Sequence, residues 1–147
     1  IDEAYHKLIK KIPNEKIILS AAFYGKAYQI DEDIENDLVI GKKAHYIQSE
    51  YQSGTCHYFY IKSHYNKEIG FEVFFDSKTK STYAYNYKTK VFVTYDDPIS
   101  LKAKIEYIKN KKVGLMFWDY GGDNDSELIS VIIDNTKGAE YDKERKI

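Results

Sequence analysis

Two stretches place chemically capable side chains directly after apolar runs. Val113-Gly114-Leu115-Met116-Phe117 leads into Trp118 and Asp119, and Ile17-Ile18-Leu19-Ser20-Ala21-Ala22 leads into Phe23, Tyr24, Gly25 and Lys26. A short, continuous apolar run suits a parallel-sheet strand buried on both faces, and ligand chemistry in such sheets gathers at the carboxyl ends of the strands. Those ends carry Trp118 and Asp119 in one case, Tyr24 and Lys26 in the other. An aromatic floor with polar neighbours is what a sugar needs, because a pyranose has flat C–H faces that pack on a ring and a rim of hydroxyls that seek hydrogen-bond partners. Each residue also has a structural reading. Trp118 fits the core as well as a ligand floor, and Asp119 fits a structural hydrogen bond as well as a substrate contact. Tyr24 fits packing between elements or a sugar contact, and Lys26 fits a groove or an ion pair.

Composition narrows the classes. At 147 residues one domain is expected, with room for a small insertion. Twenty-two basic and 23 acidic residues are well mixed and give a net charge of −1, which argues against a nucleic-acid partner. Fifteen tyrosines are an excess that suits a carbohydrate groove or an interface, and AT-rich codon usage would produce it equally. Cys56 is the single cysteine, so no intrachain disulfide forms. No apolar run reaches the roughly 18 residues of a membrane span. The four histidines, at 6, 45, 57 and 64, have no metal-ligand spacing, and no metal or other cofactor is implied. Ile1 is not a natural start, so the chain reads as a cut piece, and a missing targeting signal means little.

The elements that must position those residues follow from periodicity. Ile1, Ala4, Tyr5, Leu8, Ile9 and Ile12 predict an amphipathic helix stopped by Pro13. A buried strand over 17–23 follows. Residues 29–37 are acidic and read as loop. Residues 56–66 predict a short helix with Tyr58, Ile61 and Tyr65 on one side. Three alternating runs, 71–76, 82–87 and 91–95, predict a small antiparallel sheet. In it Phe71, Val73 and Phe75 share a face, as do Tyr83, Tyr85 and Tyr87. These tyrosines fit packing within the sheet, with one of them free to edge a groove wall. Asp96 and Asp97 fit helix caps, and Asp97 with Pro98 predicts the N-cap and first turn of a helix with Leu101, Ile105 and Ile108 inward. Strand 113–118 follows. Asn124 and Glu127 predict a capping-box start for a last helix that turns Leu128, Val131 and Ile132 inward. The tail from Asn135 to Ile147 is charged and expected to fray.

Four segments in this order resemble the C-terminal part of family 18 glycoside hydrolases, the chitinases. Lys16 to Tyr28 is similar to the seventh barrel strand with its Phe-Tyr-Gly-Arg signature, and Gly54 to Asn86 to the family's insertion domain. Phe92 to Lys104 is similar to the exit from that insertion, and Gly114 to Asp123 to the eighth strand with its Trp. The resemblance covers roughly Ile1 to Ile133. It implies an α/β fold, the C-terminal part of a (β/α)8 barrel with an inserted small α+β domain. Residues 1–27 would be barrel helix and strand seven, 28–94 the insertion, 95–134 barrel helix, strand eight and last helix, and 135–147 the tail.

The resemblance also implies the chemistry. Family members hydrolyse β-1,4-linked N-acetylglucosamine polymers by substrate-assisted retention: a Glu protonates the glycosidic oxygen and the sugar's own acetamide attacks the anomeric carbon. That Glu ends an Asp-x-x-Asp-x-Asp-x-Glu motif on the fourth strand. No acids stand at i, i+3, i+5 and i+7 here, and the Met-x-Tyr-Asp signature of the sixth strand is also absent. A complete barrel needs about 250 residues. The chain is therefore expected to hold no catalytic residue and to supply substrate-binding residues: Trp118 beneath the sugar, with Tyr24, Lys26 and Asp119. Lys26 stands where the family usually has Arg, and Lys loses the planar fork for bidentate contacts. The implied partners are chitin or an N-acetylglucosamine oligosaccharide and the remainder of the barrel, and the implied location is secreted or at the cell surface. A chitinase-like protein that binds glycan without catalysis, or an interaction module with the fold alone, are the other readings.

Overall fold

In the computed structural model, which describes residues 1–34, 39–47 and 53–137, the chain forms two sheets that meet at Phe23. The first has two parallel strands, β1 (Ile18–Ala22) and β8 (Gly114–Trp118), in the register Ile18↔Gly114 to Ala22↔Trp118. The second is antiparallel with six strands: β2 (Tyr24–Ile30), β3 (Ala44–Tyr46), β4 (Thr55–His57), β5 (Glu72–Asp76), β6 (Ser81–Asn86) and β7 (Val91–Tyr95). Its order is β3-β2-β7-β6-β5, and β4 pairs with β2 beside β3. Four helices accompany the sheets: α1 (Asp2–Leu8), α2 (Tyr58–His64), α3 (Pro98–Lys111) and α4 (Glu127–Thr136).

One face of the β1–β8 pair is a core. Leu19, Ala21 and Phe23 are buried with Leu101, Ile105 and Ile108 of α3 and Leu128 of α4. The i, i+4, i+7 spacing of Leu101, Ile105 and Ile108 produces this stripe, as the sequence predicts. The opposite face is open. Ile18 is 62% exposed, Met116 49% and Trp118 64%. The sequence predicts burial on both faces; helices cover one side of the two strands, and among the described residues nothing covers the other.

Several boundaries differ from expectation. The first helix closes at Leu8 rather than Ile12; Ile9 to Ile12 form a looser turn, in which Pro13 disfavours a helical Ile12. The segment after Phe23 leaves the parallel pair. Tyr24–Ile30, largely assigned by sequence to strand seven and its exit, is an internal strand of the antiparallel sheet, between β7 and the β3 and β4 edge, and runs on through Gln29 and Ile30. The remainder of the expected 29–37 loop lies partly outside the described residues. The expected helix over 56–66 is α2, preceded by β4, whose three residues are too short a signal to read. Gly25 lets this layer close: a Cβ there would lie 2.6 Å from Ile61 Cδ1 and from the Thr94 carbonyl oxygen.

The face of the sheet toward α2 carries Ala27, Ala84 and Val93, buried with Ile61, Cys56 and Phe71. Val73 and Phe75, grouped by sequence with Phe71, stay exposed on edge strand β5, because a seven-residue helix does not reach that far. On the other face Phe74, Tyr83, Phe92, Tyr28 and Tyr46 stack across five strands, with ring centroids 4.9–6.3 Å apart. Tyr83 and Tyr85 share that side, Tyr85 fully buried, while Tyr87 is exposed past the end of β6.

The return to the parallel layer is fixed by Asp97. Its side chain accepts from the Ser100 amide and hydroxyl and from the buried Thr82 hydroxyl of β6, 2.8 to 2.9 Å away, while Ser100 Oγ accepts from the Asp97 amide. The expected cap of the last helix is different. Ser126 holds the N-cap position without a side-chain bond, and the buried Asp123 carboxylate accepts from the Ile129 amide instead. The helix runs on to Thr136, so Asn135 belongs to it, and residues 138–147 of the expected tail lie outside the described residues.

Two expectations follow. Asp97→Ala removes a cap and leaves the Thr82 hydroxyl buried without an acceptor, for a loss of about 2–4 kcal/mol. Chemical denaturation should show Asp97→Asn recovering most of that. The open face and edges of β1–β8 should make the isolated chain self-associate in a concentration-dependent way, as sedimentation would show. A dispersed monomer with a cooperative melt would contradict this.

Candidate functional site

The carboxyl ends of β1 and β8 adjoin because the strands are parallel and in register, Ala22 beside Trp118. The Phe23 amide donates to the Trp118 carbonyl at 2.7 Å, and the Phe23 ring, fully buried, stacks on Phe117 with centroids 4.8 Å apart. Gly122 presses on the same corner; a Cβ there would lie 2.1 Å from the Phe23 carbonyl oxygen. The loop after Trp118 is thereby held against the start of β2. Trp118 points to the open face of the pair, with Met116, Ser20 and Ile18 on the same side. The local pattern left core and floor equally open for it, and the fold leaves its ring 64% exposed.

Asp119 follows Trp118 through a cis peptide and is about one-third exposed. Its Oδ2 lies 3.5 Å from Nε2 of His57. His57 is paired with Tyr24 in the β2–β4 ladder, so the two side chains lie on one face, and Lys26 lies two residues further along that face. Trp118, Asp119 and Tyr24 thus converge on the corner. Lys26 sits apart from Asp119: its ammonium donates to the Thr55 hydroxyl and to the Ser53 carbonyl at 3.4 Å, and lies 5.5 Å from the Tyr46 ring centre. These contacts tie β4 to β2.

Two residues at this end were read differently from sequence. His57 was noted for the absence of metal spacing, and local sequence holds no signal that a strand pair would carry it to Asp119. Asp96 was read with Asp97 as a helix cap. It is instead largely buried beneath β1, where it accepts from the Ala22 amide at 3.0 Å and from Lys104 at 2.5 Å.

The wall behind the corner is set by α2 and α4. Burial pushes the Tyr58 hydroxyl well above its ordinary range, and the neighbouring Glu127 carboxylate pushes it further, so the phenol stays protonated and donates to Glu127 at 3.0 Å. Lys62 pairs with both Glu127 and Asp125. Burial, with Asp97 nearby, likewise pushes Tyr95 up to about 12. A cavity of about 270 Å3, lined by Tyr28, Val39, Lys42, Phe92 and Thr94 among others, touches none of the four candidate residues except by sharing strand β2. An exposed ring with carboxylate, phenol and imidazole beside it makes a one-sided floor: it can stack a flat apolar ligand face and hydrogen-bond its rim. Among the described residues no helix is long and apolar enough to cross a membrane, and no group of three His, Cys, Asp or Glu residues is placed to hold a metal.

Known proteins resemble this chain in sequence and fold. Chitinase B of Serratia marcescens is 27% identical over 156 aligned positions, which cover 93% of this chain and 31% of that protein. A plant class V chitinase from Cycas revoluta, a mutant crystallised with (GlcNAc)3, superposes with a TM-score of 0.69 at 26% identity, over 87% of this chain and 36% of that one. A chitinase from Rhizomucor miehei superposes with a TM-score of 0.80 at 22% identity, over 92% and 43%. Family 18 chitinases are TIM-barrel enzymes, and this chain, a partial α/β structure, spans roughly a third of the length of such relatives. The glycosyl hydrolases family 18 profile matches residues 1–123, from α1 through the loop that holds Trp118 and Asp119, and the chain belongs to that family.

Proposed function

We propose that this chain forms part of the substrate groove of a chitinase that hydrolyses β-1,4-linked N-acetylglucosamine polymers. The observation that carries the reading is Trp118, a large ring left 64% exposed at the carboxyl end of a parallel strand with Asp119 beside it. In this reading the ring packs against the C–H face of one sugar, Asp119 and Tyr24 bind its polar rim, and Lys26 shapes the wall through Thr55 and Tyr46. The free edges of β1 and β8 receive the remaining strands of the barrel, so that Ile18 and Met116 turn into its interior and Trp118, at the carboxyl end, stands at its mouth. A two-stranded parallel sheet with one bare apolar face has the composition of a barrel interior and lacks its other layers.

The acid belongs elsewhere in the full-length protein. No carboxylates at the family spacing stand in this sequence. The part supplied here is positioning: a ring and polar groups that hold the reacting sugar in the distorted shape bond cleavage needs, while its own acetamide serves as nucleophile. The whole protein is read as secreted or cell-surface, on the strength of an insoluble extracellular polymer as substrate.

Two measurements test this. In the full-length protein, Trp118→Ala is expected to lower kcat/KM on a fluorogenic chitobioside by about 100-fold, the scale of a lost positioning contact. Its melting temperature should change little, because a ring at the barrel mouth packs against the sugar and not in the core. A core Trp→Ala would instead cost about 3–5 kcal/mol of stability. A sharp drop in melting temperature with near-normal turnover of the folded fraction would make Trp118 a core residue and move the groove. The isolated 147-residue chain is expected to show no turnover above buffer on the same substrate. Activity in a preparation free of other chains would place a general acid among these residues.

A further inference from the structure

We propose that His57 is a positioning residue for Asp119, and that it sets how tightly the groove holds the polar rim of the sugar lying over Trp118. The proposal rests on the reading above, in which Trp118 and Asp119 touch the glycan. It adds a residue that no motif of the sequence marks.

The geometry begins with β4. Its middle residue, Cys56, is fully buried against the α2 side of the sheet, so the alternation of the strand turns Thr55 and His57 to the other face. There each meets a candidate polar group. Thr55 accepts from the Lys26 ammonium, and His57 Nε2 lies 3.5 Å from Asp119 Oδ2. A three-residue strand thus holds two of the four candidate side chains, one at each end.

His57 is itself well fixed. Its backbone is paired with Tyr24, and the next residue, Tyr58, donates its amide to the Phe23 carbonyl at 2.9 Å. Its side chain is 17% exposed, and its ring lies beside Phe59 with centroids 5.5 Å apart. Asp119 is not fixed in this way by its own segment. It occupies the N-cap position of the turn Tyr120–Gly122, yet its side chain makes no capping bond there. A carboxylate one-third exposed, on a loop, loses rotamer freedom when a ligand must order it. The imidazole reaches it from a rigid strand and holds one oxygen. The other oxygen is left to accept from a hydroxyl or acetamide N–H of the sugar. Holding Asp119 before the sugar arrives reduces the ordering cost of binding, which is a ground-state effect.

The test is kinetic and uses the full-length protein with a fluorogenic N-acetylglucosamine oligosaccharide. His57→Phe keeps a ring of similar size and removes the nitrogen that faces Asp119. It is expected to raise KM about ten-fold, the loss of roughly one charge-assisted contact, with kcat within about two-fold of the parent. His57→Gln, whose amide can donate from near the Nε2 position, should restore most of the affinity. Asp119→Asn should raise KM by a similar factor, and the double variant His57→Phe with Asp119→Asn should be no worse than Asp119→Asn alone. If His57→Phe does not melt cooperatively, His57→Asn replaces it, since its shorter amide does not reach Asp119 and should give the same rise in KM. An unchanged KM in the nitrogen-free variant overturns the proposal. So does additivity of the two substitutions, which would mean that His57 acts on the glycan by itself. Trp118→Ala separates the two levels of argument. If it leaves turnover intact, the groove is elsewhere and the underlying reading fails; if it impairs turnover while His57→Phe does not, the role of His57 alone fails.

Discussion

The structure depends on one corner, at Phe23. Its amide and carbonyl face opposite partners: the amide donates to Trp118 at the end of β8, and the carbonyl accepts from Tyr58 at the start of α2. Its ring is fully buried against Phe117, and Gly122 allows the loop after β8 to lie on its backbone. A single residue therefore joins the parallel pair, the antiparallel sheet, the first turn of α2 and the loop after Trp118. A buried peptide group must find partners, and here the partners belong to segments about 95 and 35 residues away in sequence. Moving any one of them would leave an unpaired backbone group in the core.

That corner explains why the polar groups converge. Trp118 and Asp119 are consecutive, but Tyr24 and His57 arrive through β2 and β4, whose pairing starts directly beyond Phe23. The exit from the antiparallel sheet is fixed as firmly. Asp96 holds the Ala22 amide and Lys104, while the next residue, Asp97, caps α3 and holds Thr82 of β6. Adjacent carboxylates thus bind the two sheets and the helix into one frame. In the proposed reading, the rigid side of the groove is built from backbone ladders and buried carboxylates, and the candidate residues project from the ends of those elements. Membership of glycosyl hydrolases family 18 gives this frame its context.

The aromatic excess has a divided use. Phe74, Tyr83, Phe92, Tyr28 and Tyr46 pack in a row against one another, one pair stacked and the others tilted, which stabilises the sheet. Trp118 is different, since its neighbours on the open face of the parallel pair are aliphatic or small and its ring is free to receive a flat partner. The composition alone does not separate these uses.

The sequence by itself determined the local elements and named the candidate site residues. Apolar runs ending at Trp118 and Tyr24 identified the strand ends, the Leu101, Ile105 and Ile108 spacing identified the face of α3, and Asp97-Pro98 identified its start. These are short-range signals: each depends on residues within a turn or a strand of one another. Tertiary structure decided what those signals do not encode. It split residues 17–28 at Phe23, because hydrogen-bond partners and not hydrophobicity choose which sheet a strand joins. It left Val73 and Phe75 exposed, because the covering helix is too short. It replaced the expected capping box of α4 with Asp123, and turned Asp96 from a cap into a buried bridge. It also brought His57 to Asp119 across 62 residues of chain. Periodicity fixes which side of a strand a residue faces, but the neighbour it meets there is set by strand pairing, and that is decided by the packing of the whole chain.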